Sequence, residues 1–534
     1  MKMIRKKTNR ITALCLAFLM CLCSLGGCGS SGNAQVDPTD DNYRVFYQIF
    51  VGSFSDSDGD GIGDLRGIIN RLDYLNDGDI NSGKSLGVQG LWLSPIYASP
   101  SYHKYDTLNY YRIDEKFGTE EDLKELLEEC HKRNVKVILD LAINHTSSEH
   151  QWFTKFTNAH KAADTSDPYY DFYSWAKTEN RKGSATYNAI PGCTGEYYEC
   201  NFSGDMPELN FDNEAVREEV IKIAKYYLDL GVDGFRFDAI KYIYFGDNAS
   251  STGFWDWYMS ELKAYKEDIY CVGECWSGES EILQYVGALN CFNFQMAQGE
   301  GYIANAAKGM DIRTFTNYVE SNQKKVRETN EDGMMIPFIS NHDMDRCAGY
   351  LTLATKRMQM AANLYLLCSG SPFIYYGEEI GMKGSRGSAN TDANRRLAML
   401  WGDGDTVKDP RGTTYDAAKQ TNGTVEEQRK DKESLYQYYC RLIAMRNRYP
   451  EIARGDYKAL DFEQSRLGGF LITYNEEQTL LLHNTSDTEA EIDLGICSDI
   501  PGGLSKVADY IGQGKASLKG SVLTIGPQTS VIIK

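Results

Sequence analysis

The segment VKVILDLAINH (residues 135–145) contains the pattern on which the fold prediction depends. It begins with a run of apolar residues, typical of a strand buried on both faces, and it ends in polar residues. The preceding residues 119–134 carry apolar side chains at helical spacing, and Thr119 and Asp122 have the spacing of a capping box. A helix followed by a buried strand is the repeating unit of a parallel α/β sheet.

The same unit recurs along most of the chain. Residues 213–230, for example, have helical periodicity that places Val216, Val220, Ile223 and Tyr227 on one side. Eight apolar segments alternate with such helices, which is the number of strands in a closed (β/α)8 barrel. The predicted strands are residues 45–54, 88–96, 135–144, 232–238, 269–276, 291–295, 335–343 and 373–378.

Two regions depart from this alternation. Residues 147–212 follow the third strand, are rich in Tyr, Asn, Gly and Asp, and are too long for an ordinary loop. After residue 454, short alternating runs separated by Gly, Asn and Pro predict an all-β region. We therefore expect an α/β fold, a (β/α)8 TIM barrel over 43–146 and 213–454, with a small domain inserted at 147–212 and a C-terminal β-sandwich domain at 455–534.

The amino terminus has the features of a secretion signal. Five cationic side chains within the first ten residues precede an apolar run, residues 11–25, that is too short to span a bilayer. This run ends in LGGC, which resembles the bacterial lipobox and implies that residues 1–28 form a lipoprotein signal peptide with Cys28 as the lipidation site. Residues 29–42 then form a flexible tether. We expect a protein secreted and lipid-anchored to the outer face of a bacterial cell membrane; an ordinary signal peptide with an incidental cysteine is the alternative.

Composition limits the classes of partner. The hydrophobic fraction of 42% and the charged fraction of 25% are typical of folded domains, and they argue against a disordered chain. The net charge of −19 opposes nucleic-acid binding, which requires cationic side chains to neutralise phosphates. A neutral substrate suits this charge better, and we expect a monomer without a nucleic-acid partner.

The predicted strands carry acidic side chains at their carboxyl ends, where active sites of such barrels lie. Asp238, Glu274 and Asp343 lie near the ends of three different predicted strands. Each alone is explained by a cap or an ion pair, but the set fits glycoside cleavage, in which one carboxylate attacks and a carboxylic acid about 5 Å away protonates the leaving oxygen. Arg236 lies on the same face of its strand as Asp238 and favours an ionised nucleophile. The apolar neighbours of Glu274 favour a raised pKa, as a general acid requires.

These segments resemble the motifs of the α-amylase family of glycoside hydrolases, which act with retention of configuration on a (β/α)8 barrel. The resemblance extends from Tyr43 to the end of the chain. MPELN (206–210) is similar to the form found between the oligo-1,6-glucosidase and neopullulanase groups. The other matching segments, in family order, are DLAINH (140–145), GFRFDAIKY (234–242), GE (273–274), NHD (341–343) and SPFIYYGEEIGM (371–382).

The resemblance implies roles for individual residues. Asp238 corresponds to the nucleophile, Glu274 to the acid/base and Asp343 to the group that stabilises the transition state. The positions that correspond to substrate-binding residues are Tyr105, His145, Arg236, Lys241 and His342.

Two positions bear on the bond that is cut. Family members that release single glucose units usually carry an Asp three residues before the stacking tyrosine, but here Tyr102 occupies that position before Tyr105. Ala239, which follows the nucleophile, is similar to the α-1,4-specific enzymes, because a Val there accompanies α-1,6 preference.

The predicted function is that of a bacterial lipoprotein α-amylase, an endo-acting retaining hydrolase of α-1,4-glucosidic bonds in starch and maltodextrins. A neopullulanase-like hydrolase or transglycosylase on α-glucans shares the same carboxylates and is the first alternative. A non-catalytic glucan-binding lipoprotein is the second, although such proteins lose the carboxylates that are present here.

Calcium is the expected cofactor. The segment DSDGDGIGD (56–64) alternates acidic oxygens with glycines, and Ca²⁺ takes six to eight hard oxygen ligands. A solvated acidic loop is the alternative. Asn144 corresponds to one ligand of the family's usual calcium, although the Lys-His pair that often accompanies that site is here Lys241-Tyr242. The predicted ligands of the first site are Asp56, Asp58, Asp60, the carbonyl of Ile62, and Asp64.

Overall fold

Parallel strands surround a buried core in the computed structural model, which describes residues 39–352 and 354–534. The predicted (β/α)8 TIM barrel is confirmed, with every pairing between its regular strands parallel. In spatial order the strands are Asn290–Cys291, Tyr270–Gly273, Gly234–Phe237, Lys136–Leu141, Gly90–Leu93, Phe46–Ile49 and Phe373–Tyr375.

The predicted seventh strand, residues 335–343, is not a regular strand. Its first residues nevertheless close the barrel, because Asn293 N donates to Ile336 O at 3.0 Å and Phe373 N donates to Pro337 O at 3.0 Å. Pro337 has no N–H group to donate, which interrupts the hydrogen-bond ladder at this position. The barrel therefore has eight positions, of which one is irregular.

Helices surround the strands as the periodicity predicts. Thr119 and Asp122 form the predicted capping box, and Asn213 caps the helix whose Val216 and Tyr227 are buried. The helices are Leu65–Asn70, Leu72–Leu75, Glu120–Lys132, Gln151–Ala162, Glu214–Asp229, Asn248–Tyr265, Glu279–Val286, Tyr302–Ala307, Arg313–Thr329, Cys347–Tyr350, Ala354–Leu366, Val425–Lys430, Leu435–Arg448 and Pro450–Arg454.

Two small sheets lie in the segments that follow the second and third barrel strands. Tyr97–Ala98 pairs antiparallel with Asn109–Ile113, and the loop between them carries Tyr105. After the third strand, Glu196–Glu199 pairs on one side with Trp175–Lys177 and on the other with Tyr187–Ala189.

The carboxyl-terminal residues form two antiparallel sheets with their own core, which includes Leu482, Leu523 and Val531. The three-stranded sheet has the order Ala490–Asp493, Val522–Ile525 and Ala516–Lys519. The five-stranded sheet has the order Asp456–Leu460, Leu467–Tyr474, Glu477–Asn484, Thr529–Ile533 and Val507–Gly512.

The predicted signal peptide, with its lipidation site Cys28, and the tether up to residue 38 lie outside the described residues. Within the described ranges, no helix combines the length and the apolarity that crossing a bilayer requires.

Candidate active site

A single buried guanidinium group joins three carboxylates at the carboxyl ends of the strands. Arg236 Nη1 donates to Asp140 Oδ1 at 2.8 Å and to Asp238 Oδ1 at 2.6 Å. Its Nη2 lies 3.3 Å from Glu274 Oε2. The three strands that supply these residues are neighbours in the barrel, so the paired register brings the side chains together. Asp238 and Glu274 therefore lie close enough to share one cation.

The backbone after Asp238 adds a further contact to Glu274. Ala239 has a φ of 47°, in the left-handed region that residues other than glycine rarely adopt. In this conformation Ala239 N donates to Glu274 Oε2 at 3.0 Å. The small side chain of Ala239 suits the strained turn, because a β-branched residue would add to its cost.

Burial sets the protonation state of Glu274. Removal from water raises the pKa of the Glu274 carboxyl to about 8, and the charges of Asp238 and Asp343 act in the same direction against that of Arg236. The group is therefore mainly protonated at neutral pH. A protonated carboxyl beside a charged one is the arrangement that separates a general acid from a nucleophile.

Asp343 has the opposite environment. Arg396 Nη2 donates to Asp343 Oδ1 at 2.6 Å, and His342 Nε2 lies 3.1 Å from Oδ2. Burial opposes ionisation, but the neighbouring positive charges hold the pKa of the Asp343 carboxyl below its ordinary range. Burial also lowers the pKa of His342 to about 3, so this ring is neutral and the arginines supply the positive field.

Tyr105, which lines the cavity, stacks on the buried ring of His342. Their rings stack with centroids 5.4 Å apart and an interplanar angle of 7°. The Tyr105 hydroxyl donates to Asp140 Oδ2 at 2.9 Å, and Gln48 Nε2 donates to His342 Nδ1 at 2.8 Å. Since Nδ1 accepts, the neutral His342 ring carries its proton on Nε2, facing Tyr105 and Asp343.

His145 retains an unused hydrogen-bonding atom. Its Nε2 donates to the carbonyl of Tyr105 at 3.2 Å. Its Nδ1 is buried and has no hydrogen-bond partner within the described ranges. Because an unpaired buried polar atom is costly, this nitrogen is suited to accept a hydrogen bond from a ligand hydroxyl.

These residues border one cavity of about 1040 Å³. A cleft of this size is in the range of ligand-binding sites. The predicted site residues that line it are Tyr105, His145, Asp238, Glu274 and Asp343. Arg236 and His342 are fully buried and contact the lining carboxylates. The predicted ligand contact Lys241 instead donates through Nζ to the carbonyl of Trp276 at 2.9 Å and does not line the cavity.

Two residues of the site are absent from the set that the motifs predict. Asp140 is completely buried and accepts from Arg236, Tyr105 and, at 3.1 Å, from Trp92 Nε1. Its position inside the DLAINH segment is the signal that points to it. Arg396 lies in an aperiodic loop after the last strand, and the adjacent pair Arg395-Arg396 is the one sequence feature that marks it.

Three of the four acidic residues of the predicted calcium loop meet. Carboxylate oxygens of Asp56, Asp58 and Asp64 lie within 4.8 Å of one another. Asp60 instead accepts from Lys116 Nζ at 3.1 Å and from the backbone N–H of Ile62 at 2.7 Å. Three hard carboxylates at one point fit the chemistry of Ca²⁺.

Asn144 lies where a second cation is predicted. Its side-chain oxygen and nitrogen are both buried without a hydrogen-bond partner in the described part of the chain. Its carbonyl accepts from Leu209 N at 2.9 Å. An amide oxygen without a partner is a ligand of the kind that an oxygen-coordinated cation takes.

Comparisons with known proteins agree on one family. The family model for "Alpha amylase, catalytic domain" matches residues 48–455. "Alpha-amylase 3" of Dictyoglomus thermophilum is 35% identical over 495 residues, covering 92% of this chain and 93% of the relative. "Oligo-1,6-glucosidase" of Bacillus cereus is 30% identical over 531 residues, covering 84% and 91%. Among solved structures, Eubacterium rectale Amy13B superposes with a TM-score of 0.86 at 35% identity, covering 94% of this chain and 97% of that one.

Proposed function

Because this chain belongs to the α-amylase family of glycoside hydrolases and acts on α-glucans, we propose that it is an endo-acting, retaining hydrolase of α-1,4-glucosidic bonds in starch and maltodextrins. The observation that carries the proposal is the guanidinium of Arg236, which contacts both Asp238 and Glu274. A retaining mechanism requires two carboxyl groups this close together, one ionised and one protonated.

The first step forms a covalent intermediate. Asp238 attacks the anomeric carbon while the Glu274 carboxyl gives its proton to the departing glycosidic oxygen. The shortened glucan leaves with this proton, and the remaining glucosyl unit is bound as an ester to Asp238. Glu274 is now a carboxylate that Arg236 Nη2 and Ala239 N stabilise.

The second step restores the enzyme. The Glu274 carboxylate accepts a proton from water, whose oxygen attacks the anomeric carbon and releases Asp238. Two inversions at the same carbon retain the α configuration. Asp343 remains ionised beside Arg396 and stabilises the positive charge that develops on the sugar ring in both steps.

Tyr105, His145, Arg236 and His342 position the reacting glucosyl unit in this proposal. The Tyr105 ring offers a flat apolar face to the sugar, and His145 Nδ1 accepts from a sugar hydroxyl. Arg236 and His342 act indirectly, because their hydrogen bonds hold Asp238 and Tyr105 in position. Lys241 fits a less direct role, because its amine is held by the carbonyl of Trp276.

Endo action and α-1,4 preference are supported by two positions. Tyr102 stands where an acidic residue closes the pocket of enzymes that remove single glucose units, and Ala239 follows the nucleophile. Both positions belong to the site, since Tyr102 lines the cavity of about 1040 Å³ and Ala239 N donates to Glu274 Oε2.

Calcium is proposed to hold the loop after the first strand. Asp56, Asp58 and Asp64 would bind it, with the carbonyl of Ile62 as a further ligand, and Asn144 would contribute to a second ion. When bound, the ion supplies charge that offsets the clustered carboxylates. It takes no part in bond cleavage.

We also propose that the enzyme is anchored by a lipid on Cys28, outside a bacterial cell membrane. The support is the sequence pattern of a basic start, a short apolar run and the LGGC segment. Cys28→Ser in the producing cell is expected to release the enzyme from the membrane fraction. Membrane retention of that variant would rule the anchor out.

The test of the activity is release of reducing ends from soluble starch by the wild type and by Asp238→Asn. We expect the variant to be slower by about 10⁴-fold, since the covalent step is lost. Equal rates would contradict the mechanism.

The product ladder from amylose separates the alternatives. Internal cuts give a spread of oligosaccharides, whereas products longer than the substrate indicate transglycosylation. Binding without products indicates a capture protein.

A further inference from the structure

A lysine lies in a strained turn between two tyrosines of the catalytic cavity. Lys104 has a φ of 68°, in the left-handed region that favours glycine. Tyr102, His103 and Tyr105 line the cavity, whereas the Lys104 side chain is directed away from it. A lysine at a position where glycine would cost less indicates that its side chain contributes something that glycine lacks.

The Lys104 side chain ends in a buried ion pair. Lys104 and Asp114 have exposed fractions of 8% and 7%, and Lys104 Nζ lies 2.7 Å from Asp114 Oδ2. The ammonium also donates to the carbonyl of Ser99 at 3.3 Å and lies 5.4 Å from the centre of the Phe117 ring. Because a single buried charge is costly, each member of this pair holds the other in place.

The backbone of a neighbouring strand fixes the Asp114 carboxylate. Asp114 directly follows the strand Asn109–Ile113. Its Oδ2 accepts from the backbone N–H of Ser99 at 3.3 Å, and its Oδ1 accepts from that of Lys116 at 3.1 Å. The carboxylate therefore offers a stationary anchor to the Lys104 ammonium, and a hydrogen bond between two charged groups is among the stronger ones.

Tyr105, the residue after Lys104, carries the ring that contacts the reacting sugar in the proposed mechanism. The far end of this ring is held by its hydroxyl, which contacts Asp140 and His342. At the near end, the Tyr105 N–H donates to His103 Nδ1 at 3.2 Å, which is a bond within the turn. The ammonium of the preceding residue ties this near end to the strand.

We propose that Lys104 is a positioning residue for Tyr105. Its buried ion pair with Asp114 holds the turn in the conformation that places the Tyr105 ring against the reacting glucosyl unit. This inference rests on the proposed function and adds to it a residue that does not touch the substrate. Such an anchor acts on the rate, because catalysis depends on small differences in the position of the groups that hold the reacting unit.

The experiment removes both charges together in Lys104→Met/Asp114→Asn, which leaves neither charge buried alone. We expect kcat/KM for maltoheptaose to fall about tenfold to thirtyfold, since a displacement of about 1 Å can cost about a hundredfold. In a Tyr105→Ala background the same two changes should cost less than about twofold, because effects that pass through one ring do not add. Lys458→Met/Asp499→Asn removes an exposed ion pair of 2.8 Å between two carboxyl-terminal residues and should leave kcat/KM unchanged.

A second variant separates the ion pair from the backbone strain. Lys104→Gly/Asp114→Asn permits the same left-handed backbone at lower cost but has no anchor. We expect it to lose kcat/KM to a similar extent. Full activity in this variant would overturn the proposal, because the turn would then require only its backbone conformation. An equal loss from Lys104→Met/Asp114→Asn with and without the Tyr105 ring would also overturn it, because the effect would then not pass through Tyr105.

A crystal structure of Lys104→Gly/Asp114→Asn gives a readout that requires no activity. We expect the Tyr105 ring to leave its stacked position on His342, where the ring centroids are 5.4 Å apart. A ring that keeps this position would overturn the proposal. If the wild type does not cleave maltoheptaose, the proposed hydrolase function fails, while the structure of the variant still decides whether Lys104 positions Tyr105.

Discussion

The hydroxyl oxygen of Tyr102 accepts a hydrogen bond from Arg396 Nη1 at 3.1 Å. The same guanidinium donates through Nη2 to Asp343 and through Nε to the carbonyl of His342 at 3.1 Å. Tyr102 is thereby fixed to the wall of the cavity beside the reacting site. On this side Arg396 therefore binds one carboxylate, that of Asp343, and one neutral hydroxyl, that of Tyr102.

Tyr102→Asp is expected to shift cleavage toward the chain ends. A carboxylate at this position would form a charged pair with Arg396 and favour a terminal glucose unit, as in family members with Asp there. We expect the glucose fraction among products from amylose to rise about fivefold to tenfold. Tyr102→Phe, which keeps the ring and loses the hydroxyl, should retain internal cutting. An unchanged product ladder in Tyr102→Asp would contradict the assignment.

The pH dependence of activity is expected to have an alkaline limb near pH 8. Glu274 must be protonated to act in the first step, and burial raises its pKa to about 8. Above that value kcat/KM for maltoheptaose should fall about tenfold per pH unit.

The control for this limb is Glu274→Gln, measured over the same range. Its residual activity is expected to be lower by about 10³-fold or more and to lack the alkaline limb, because the amide does not titrate. Burial also raises the pKa of Asp140, to about 7. A limb that persists in Glu274→Gln would therefore reject the assignment to Glu274 and point to another buried carboxyl such as Asp140.

The reacting residues of the site could be predicted from the sequence, but Arg396 in the cavity wall could not. Arg236 and Asp238 are two residues apart and share one face of their strand. Glu274 directly follows the neighbouring strand, so the pairing of the two strands brings the three side chains together. Arg396 could not be placed, because its loop has no periodicity and its position depends on hydrogen bonds to His342 and Asp343.

The fold itself followed from periodicity, with one exception. Residues 335–343 have the apolar composition of a strand, but Pro337 removes a donor and leaves an irregular closure.

In the acidic loop 56–64, an ion pair determines which carboxylates meet. Lys116 binds Asp60, which is not part of the cluster formed by the other three carboxylates. Lys116 is far from the loop in sequence, so spacing within the loop gave no sign of it.

Calcium is expected to raise the melting temperature of the enzyme through the cluster of Asp56, Asp58 and Asp64. At a hundredfold excess over its Kd the ion should raise Tm by about 5 °C, and a chelator should reverse the change. Asp58→Asn is expected to abolish most of this response in differential scanning fluorimetry. Asp60→Asn is the matched control, because its carboxylate is paired with Lys116, and it should keep the response. The reverse order of the two variants would contradict the proposed ligand set.

The adjacent buried carboxyls of Glu378 and Glu379 predict a pH-dependent stability. Glu378 accepts from Tyr365 and Tyr439 and from the Ser340 hydroxyl at 3.1 Å, and burial raises its pKa to about 7. Burial also raises the pKa of Glu379. Because the folded pKa exceeds the unfolded value, the stabilisation is complete below about pH 4.5 and is lost as the pH rises through 7.

Glu378→Gln keeps the shape of the side chain and cannot ionise. Between pH 5 and pH 8 the Tm of the wild type should therefore fall relative to that of Glu378→Gln by about 3 °C, whichever protein is more stable at pH 5. Thermal unfolding at half-unit pH steps measures this difference. Glu463→Gln, which changes an exposed carboxyl, should follow the wild type at every pH. A difference that is constant with pH, or that grows in favour of the wild type, would show that Glu378 is ionised in the folded protein at pH 5.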